Sequence, residues 1–146
     1  MLNFEVRELK DIDLEEPKDF FSTLSNLREV GNISSEEAKD ILLKINSQDS
    51  HIFVAVTLEG KIIGAATLMI EQKFIRQGAK CGHIEDVSVA KSFEGNGIGS
   101  ALVKKAVDYA KKAGCYKVIL DCSDKNVPFY QKLGFRRYEN CMRMDL

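Results

Sequence analysis

The segment FEGNGIGSALVKKA, from Phe93 to Ala106, holds three alternating glycines between a strand-like apolar run and an amphipathic helix. Glycine adopts positive φ and lets a ligand approach the backbone without a Cβ in the way. Such a loop directs unpaired N–H groups and the positive end of the helix dipole at one point, which suits a phosphate. The segment therefore predicts anion binding in preference to a merely tight turn.

A dinucleotide-binding fold is the main rival interpretation, because Asp121 ends the run YKVILD about 20 residues after the loop. Against it, Ser100 replaces the last small residue of that fingerprint. Glu85 and Asp86 also lie in the strand before the loop, where a buried parallel strand would be apolar. A Walker-type loop is excluded because no Gly-Lys-Ser/Thr closes the glycine run.

Hydrophobic periodicity predicts the elements that must position this loop. A weak first strand is predicted for FEVRELK, and a helix that Gly31 ends is predicted for EEPKDFFSTLSNLREV. A second helix, capped by Ser34 or Ser35, is predicted for ISSEEAKDILLKIN. HIFVAVTLEGKIIGAATLMIEQ predicts an antiparallel hairpin that turns at Glu59 and Gly60.

The second half of the chain continues as strand, helix, strand, helix, strand. GHIEDVSVA precedes the loop, a helix from about Ile98 to Lys112 follows it, and YKVILD, KNVPFYQKL and FRRYENCMRM complete the order. No repeat or linker interrupts the chain, so residues 1–146 are expected to form one α/β domain.

Composition limits the function classes. The net charge of −1 gives no general attraction to nucleic acid or anionic lipid, and no apolar run is long enough to span a bilayer, so a cytoplasmic protein is expected. The cysteines form no C-x-x-C pair, and only two histidines are available, so we expect reduced, mostly buried thiols and no metal site. These residues are Cys81, Cys115, Cys122, Cys141, His51 and His83.

The run from Gly82 to Phe135, with GHIEDV, GCYKVILDC and KNVPFYQKLGF at these spacings, resembles the GNAT superfamily of acetyl-CoA-dependent N-acyltransferases. Within it, the chain is similar to members that acetylate glucosamine 6-phosphate, and EVGNIS and IEQKFI match their earlier segments. The resemblance covers most of the chain from about Leu24. It implies a mixed central sheet, flanked by helices and splayed just after DVSV to form an acetyl-CoA cleft.

The resemblance also implies the residues that hold acetyl-CoA. The backbone of Val87, Ser88 and Val89 would pair with the pantetheine arm, and the loop amides would hold the pyrophosphate. Asn126 and Tyr130 lie four residues apart on a short helix and are expected to face the same cleft. The predicted loop residues are Glu94, Gly95, Asn96, Gly97, Ile98, Gly99 and Ser100.

For the reaction, the resemblance implies that Glu85 and Asp121 position the amino group and accept its proton, and that Asp86 contacts the sugar. A backbone amide near Val87 would polarise the thioester carbonyl. Tyr130 would protonate the departing thiolate, since a phenol keeps its proton at neutral pH. No covalent enzyme intermediate is required.

Three residues depart from the family pattern. Glu94 replaces an Arg or Gln at the start of the pyrophosphate loop, Arg28 stands where Thr is usual, and Asp145 replaces an arginine that often binds the 6-phosphate. Phosphate needs donors, so Arg28, Lys73 or Arg143 is expected to compensate.

Two alternatives for the function stay open. One is an acetyltransferase for another small amine or amino sugar, and the other is a non-catalytic acetyl-CoA sensor. The resemblance also implies a homodimer in which the C-terminal segment crosses to the partner to complete the sugar pocket.

Overall fold

The computed structural model describes residues 1–146, and its central sheet has five strands in the order β1-β2-β3-β4-β5. Neighbouring strands are antiparallel from β1 to β4, whereas β4 and β5 are parallel. The predicted mixed sheet with an antiparallel hairpin is thus confirmed. The strands are β1 (Phe4–Glu8), β2 (Ser50–Thr57), β3 (Ile62–Gln72), β4 (Lys80–Val89) and β5 (Cys115–Leu120).

Five helices flank the sheet, and α4 begins and ends at the predicted residues. Helix α2 has the expected cap, because the Ser34 side chain accepts from the Glu37 amide and the Glu37 carboxylate accepts from the Ser34 amide. None of the helices is long and apolar enough to cross a membrane. They are α1 (Lys18–Ser25), α2 (Ser35–Ser47), the single turn α3 (Ile75–Gly78), α4 (Ile98–Lys112) and α5 (Val127–Lys132).

Helix α1 ends at Ser25, well before the predicted end at Gly31. The next residues tighten into a turn in which the Leu27 and Arg28 amides both donate to the Leu24 carbonyl oxygen. The apolar periodicity of this segment did not reveal that change.

The predicted C-terminal strand is wrong, because residues 136–146 form no regular element and pair with no strand. A strand needs hydrogen bonds from a neighbour, and β5 remains an edge of the five-stranded sheet. Alternation of apolar side chains does not supply that neighbour. The segment leaves large apolar side chains exposed, namely Tyr138, Met142, Met144 and Leu146.

Both faces of the sheet carry a core. Helix α4 packs on one face against Phe53, Ile63, Leu68 and Ile84, and α1 and α2 cover a second cluster on the other face. The N-terminal turn of α4 lies so close to β3 that a Cβ on Gly64 would be 2.6 Å from Ile98 Cγ2. This packing brings the start of α4 beside the end of β4.

Candidate active site

Strands β4 and β5 separate at the edge of the site. Their parallel ladder runs from Lys80 opposite Cys115 to Ile84 opposite Leu120, and there it stops. Beyond it β4 continues to Val89, paired only with β3. The split therefore begins before Glu85 and not, as expected, after DVSV, because β5 ends at Leu120 and the chain then enters the turn Asp124–Asn126.

A bulge interrupts β4 immediately beyond the split. Thr67 opposes Glu85 and Ala65 opposes Ser88, so Asp86 and Val87 together face the single residue Ala66. Asp86 has a φ of +51°, a left-handed conformation that is uncommon for a residue with a Cβ. Bulges of this kind redirect side chains and peptide groups, and strained residues of this kind concentrate at active sites.

The peptide groups of β4 alternate in direction beyond the bulge. The Ala90 amide donates to the Ile63 carbonyl oxygen at 2.9 Å, which makes this pair hydrogen-bonded in the antiparallel ladder. By alternation the peptide groups of Ser88 also face β3, whereas those of Val89 point into the opening between β4 and β5. The side chain of Ser88 is buried, and its hydroxyl donates to the Thr23 carbonyl oxygen at 2.6 Å, which fixes β4 to α1.

The glycine loop ends at the bare N-terminus of α4. Gly95 and Gly97 have φ values of +80° and +75°, and Gly97 is the N-cap without any side-chain hydrogen bond. The first intrahelical bond runs from the Ala101 amide to the Gly97 carbonyl oxygen, so the preceding amides of the first turn have no acceptor within the helix. The Asn96 side-chain nitrogen Nδ2 donates to the Phe93 carbonyl oxygen at 3.0 Å and holds the loop in shape. These features fit an anion.

The predicted acids lie at the split. Glu85 directly follows Ile84 on β4, and Asp121 directly follows Leu120 on β5. Burial, and then the negative charges of Asp121 and Asp86, raise the pKa of Glu85 above that of an ordinary carboxyl. A carboxylate with a raised pKa is a stronger base, as proton abstraction from an amine requires.

Cys141 in the C-terminal segment also reaches this acid cluster, which nothing in the sequence indicated. Its thiol donates to Asp121 Oδ2 at 3.2 Å, and this hydrogen bond raises the pKa of Cys141. The contact makes the thiol less reactive and places the C-terminal segment beside the predicted acceptor-binding acid.

Tyr130 lies on α5, with its ring edge-on to Phe129 at 4.9 Å and to Phe135 at 5.9 Å between centroids. Burial, and then the nearby Cys122, raise the pKa of Tyr130, so the phenol stays protonated at neutral pH. Asn126 is the exposed N-cap of the same helix.

The three cations proposed to replace the missing arginine differ in their partners. Lys73 Nζ contacts the Glu71 carboxylate at 2.8 Å, and Arg143 is paired with Asp145. Arg28 is exposed, donates only to the neighbouring Leu27 carbonyl oxygen at 3.1 Å, and has no carboxylate partner. Arg28 is therefore the cation of the three that is least committed to another group.

Glu94 does not point freely into the glycine loop. Its Oε1 accepts a hydrogen bond from Asn26 Nδ2 at 3.0 Å, and the same nitrogen donates to the Val89 carbonyl oxygen at 2.6 Å. Asn26 lies at the end of α1 and was not predicted as a site residue. Its residue type and position gave no signal, since both partners are more than 60 residues away in the chain.

All four cysteines are free, but they are not mostly buried as expected. Cys81 is buried and Cys115 half-buried, whereas Cys122 and Cys141 are exposed. The exposed two lie in the loop after β5 and in the C-terminal segment, which no helix covers. Strand pairing brings ligand atoms of Glu71, Cys81 and His83 within 4.8 Å of one another, so a metal-free protein stays a prediction.

Comparison with known proteins matches residues 12–135 to the acetyltransferase (GNAT) family. A Trypanosoma brucei brucei relative named glucosamine 6-phosphate N-acetyltransferase is 54% identical over 87 residues, 60% of this chain but only 59% of that protein. The Arabidopsis thaliana protein of the same name is 40% identical over 134 residues, 90% of this chain and 89% of that protein.

Solved structures agree with the sequence matches. The crystal structure of a Trypanosoma brucei acetyltransferase superposes with a TM-score of 0.92 at 41% identity, over 99% of this chain and 100% of that one. The crystal structure of Arabidopsis thaliana glucosamine-6-phosphate N-acetyltransferase superposes with a TM-score of 0.91 at 37% identity, over 98% of each chain. The split sheet, the strained bulge and the uncapped glycine loop thus accompany a matching sequence and a matching fold, and the chain belongs to the GNAT family of acetyltransferases, which use acetyl-CoA as cosubstrate.

Proposed function

We propose that this chain transfers the acetyl group of acetyl-CoA to the amine of glucosamine 6-phosphate. The observation that carries the proposal is the split between β4 and β5, with Glu85 and Asp121 at its start and the glycine loop at its far end. The names of the relatives supply the acceptor. Residues 1–146 are proposed to act as one domain.

Acetyl-CoA would lie in the opening between the strands. The Val89 peptide groups that point into it are suited to hydrogen-bond the amides of the pantetheine arm, as a missing strand would, with the carbonyl oxygen using the lone pair that Asn26 leaves free. The amides at the start of α4 would hold the pyrophosphate. Asn126 and Tyr130 on the neighbouring turn and helix would border the same opening on the β5 side.

The reaction is a direct attack of the amine on the thioester carbon. Glu85 and Asp121 would orient the amine and accept its proton, directly or through water, as the new C–N bond forms. A peptide N–H near Val87 would stabilise the negative charge on the carbonyl oxygen. As the C–S bond breaks, the Tyr130 hydroxyl would donate its proton to the thiolate, giving free coenzyme A and the N-acetylated sugar.

Arg28 is proposed to bind the 6-phosphate of the acceptor, because it is exposed and has no carboxylate partner. Asp86 is proposed to contact the sugar from the bulge. A guanidinium binds phosphate oxygens through two N–H groups at once, which an ammonium cannot do.

A homodimer is proposed for the assembled enzyme. The edge of β5 is open, and the segment 136–146 is unpaired, with several large apolar side chains exposed. A second copy whose C-terminal segment paired with this edge would bury those side chains and satisfy the edge peptide groups.

The function is tested by measuring thiol release from acetyl-CoA with glucosamine 6-phosphate, glucosamine and a polyamine as acceptors. We expect rapid release with the phosphorylated sugar. Release only with another amine would overturn the proposed acceptor while leaving acetyl transfer intact. Binding of acetyl-CoA without release with any amine would indicate a sensor.

A further inference from the structure

A single side-chain amide joins three parts of the protein at the mouth of the cleft. Asn26 Nδ2 donates to the Val89 carbonyl oxygen at 2.6 Å and to Glu94 Oε1 at 3.0 Å. Asn26 is the C-cap of α1, Val89 is the last residue of β4, and Glu94 begins the glycine loop. Both partners are acceptors, so the group between them must supply two N–H donors, as a carboxamide nitrogen does.

Each partner of Asn26 matters for coenzyme binding in the proposed site. The Val89 carbonyl points into the opening between β4 and β5, where no strand pairs with it. The Glu94 carboxylate begins the loop whose amides would hold a pyrophosphate. A carboxylate directed at those phosphates would repel them, because like charges at close range disfavour each other.

We propose that Asn26 is a positioning residue for acetyl-CoA, which holds the Glu94 carboxylate toward α1 and away from the pyrophosphate and fixes the direction of the Val89 carbonyl. This inference rests on the proposed function. It explains how the loop tolerates an acidic residue, since the neutral amide hydrogen-bonds the carboxylate without adding a cation that would itself attract the phosphates.

The decisive variant is Asn26→Asp, which keeps the shape of the side chain but removes both donors. It places a carboxylate against the Glu94 carboxylate and the Val89 carbonyl, so Glu94 is expected to swing toward the loop. Loss of hydrogen bonds to a charged group predicts acetyl-CoA binding weakened about 10- to 100-fold. The dissociation constant is measured by calorimetry, and the KM for each substrate and kcat are measured in steady state.

Rescue distinguishes positioning from a merely structural role. The double variant Asn26→Asp, Glu94→Gln restores a neutral donor beside the new carboxylate, and it should recover most of the lost affinity. Ser25→Ala is the matched control, because the Ser25 hydroxyl bonds only the Phe21 carbonyl oxygen within α1. That control should bind acetyl-CoA like the wild type.

Glu94→Gln alone gives a second test that does not depend on the stability of the Asn26 variants. A glutamine still accepts from Asn26, so acetyl-CoA affinity should stay within about threefold of the wild type. An affinity gain of tenfold or more would mean that the wild-type carboxylate faces the phosphates, and it would overturn the inference. The inference would also be overturned if the Asn26→Asp variant bound acetyl-CoA normally, or if adding Glu94→Gln failed to restore its affinity. Wild-type protein that binds no acetyl-CoA would instead refute the proposed function, and with it the inference.

Discussion

Glu85 and Asp121 occupy equivalent places beside the split, each one residue beyond the last pair of the parallel ladder between β4 and β5, Ile84 opposite Leu120. The arrangement brings two carboxylates to the point where the sheet opens, and their mutual repulsion adds to burial in raising the pKa of Glu85. The early end of β5 thus produces both the opening between the two strands and the pair of acids beside it.

Glu85→Gln should lower turnover and remove the acidic limb of the pH–rate profile. In the wild type, kcat/KM should fall as pH drops through the raised pKa of Glu85, because only the carboxylate accepts a proton. A wild-type profile that is flat over the acidic range, or a variant that keeps the same limb, would assign the base elsewhere.

The same substitution should stabilise the protein at neutral pH. A carboxyl whose pKa is raised by folding favours the folded state below its unfolded pKa, and this contribution is lost as pH rises through the folded value. The melting temperature of Glu85→Gln should therefore exceed that of the wild type near pH 7, and the difference should shrink toward pH 4. Parallel thermal melts across this range measure it.

Tyr130→Phe should keep acetyl-CoA binding but slow acetyl transfer about 100-fold, since general acids contribute on this scale. The edge-on contacts with Phe129 and Phe135 do not use the hydroxyl, so the fold should be unaffected. A single-turnover assay measures the chemical step directly. Unchanged turnover would remove Tyr130 from the role of acid.

Arg28→Ala should reduce the preference for glucosamine 6-phosphate over glucosamine. A charge-assisted hydrogen bond of about 1.5–3 kcal/mol corresponds to roughly 10- to 100-fold in the ratio of kcat/KM values. The KM for acetyl-CoA should barely change. Lys73→Ala provides the comparison, because Lys73 is already paired with Glu71 and should affect the ratio less.

Deletion of residues 136–146 should leave a monomer with little acetyl transfer, if that segment completes the partner's site. Sedimentation of the full chain should give a dimer at assay concentration. A full-length chain that sediments as a fully active monomer would contradict the proposed assembly.

Gly64→Ala should destabilise the protein by about 1–3 kcal/mol through overpacking. The new Cβ would meet Ile98 Cγ2 at 2.6 Å and Leu102 Cδ1 at 2.9 Å, which displaces the start of α4. Urea denaturation measures the free energy of unfolding, and weaker acetyl-CoA binding should accompany the loss. Adding the substitution Ile98→Leu removes the Cγ2 methyl, so it should recover part of the lost stability and part of the lost acetyl-CoA affinity.

The sequence by itself determined the features that depend on neighbouring residues. An N-cap at Ser34 or Ser35, both ends of α4, the hairpin at Gly60 and the glycine loop follow from backbone preferences, hydrophobic period and capping chemistry within a few positions. The family resemblance added Glu85 and Asp121 as candidate acids, a role that stays a prediction.

Only the tertiary structure decided which groups meet across the chain. The end of the ladder at Ile84, the bulge at Asp86, the Asn26 bridge and the unpaired state of residues 136–146 each depend on hydrogen-bond partners far away in sequence. Local preference cannot choose between such partners, because an extended or polar residue could form hydrogen bonds with many different parts of the chain.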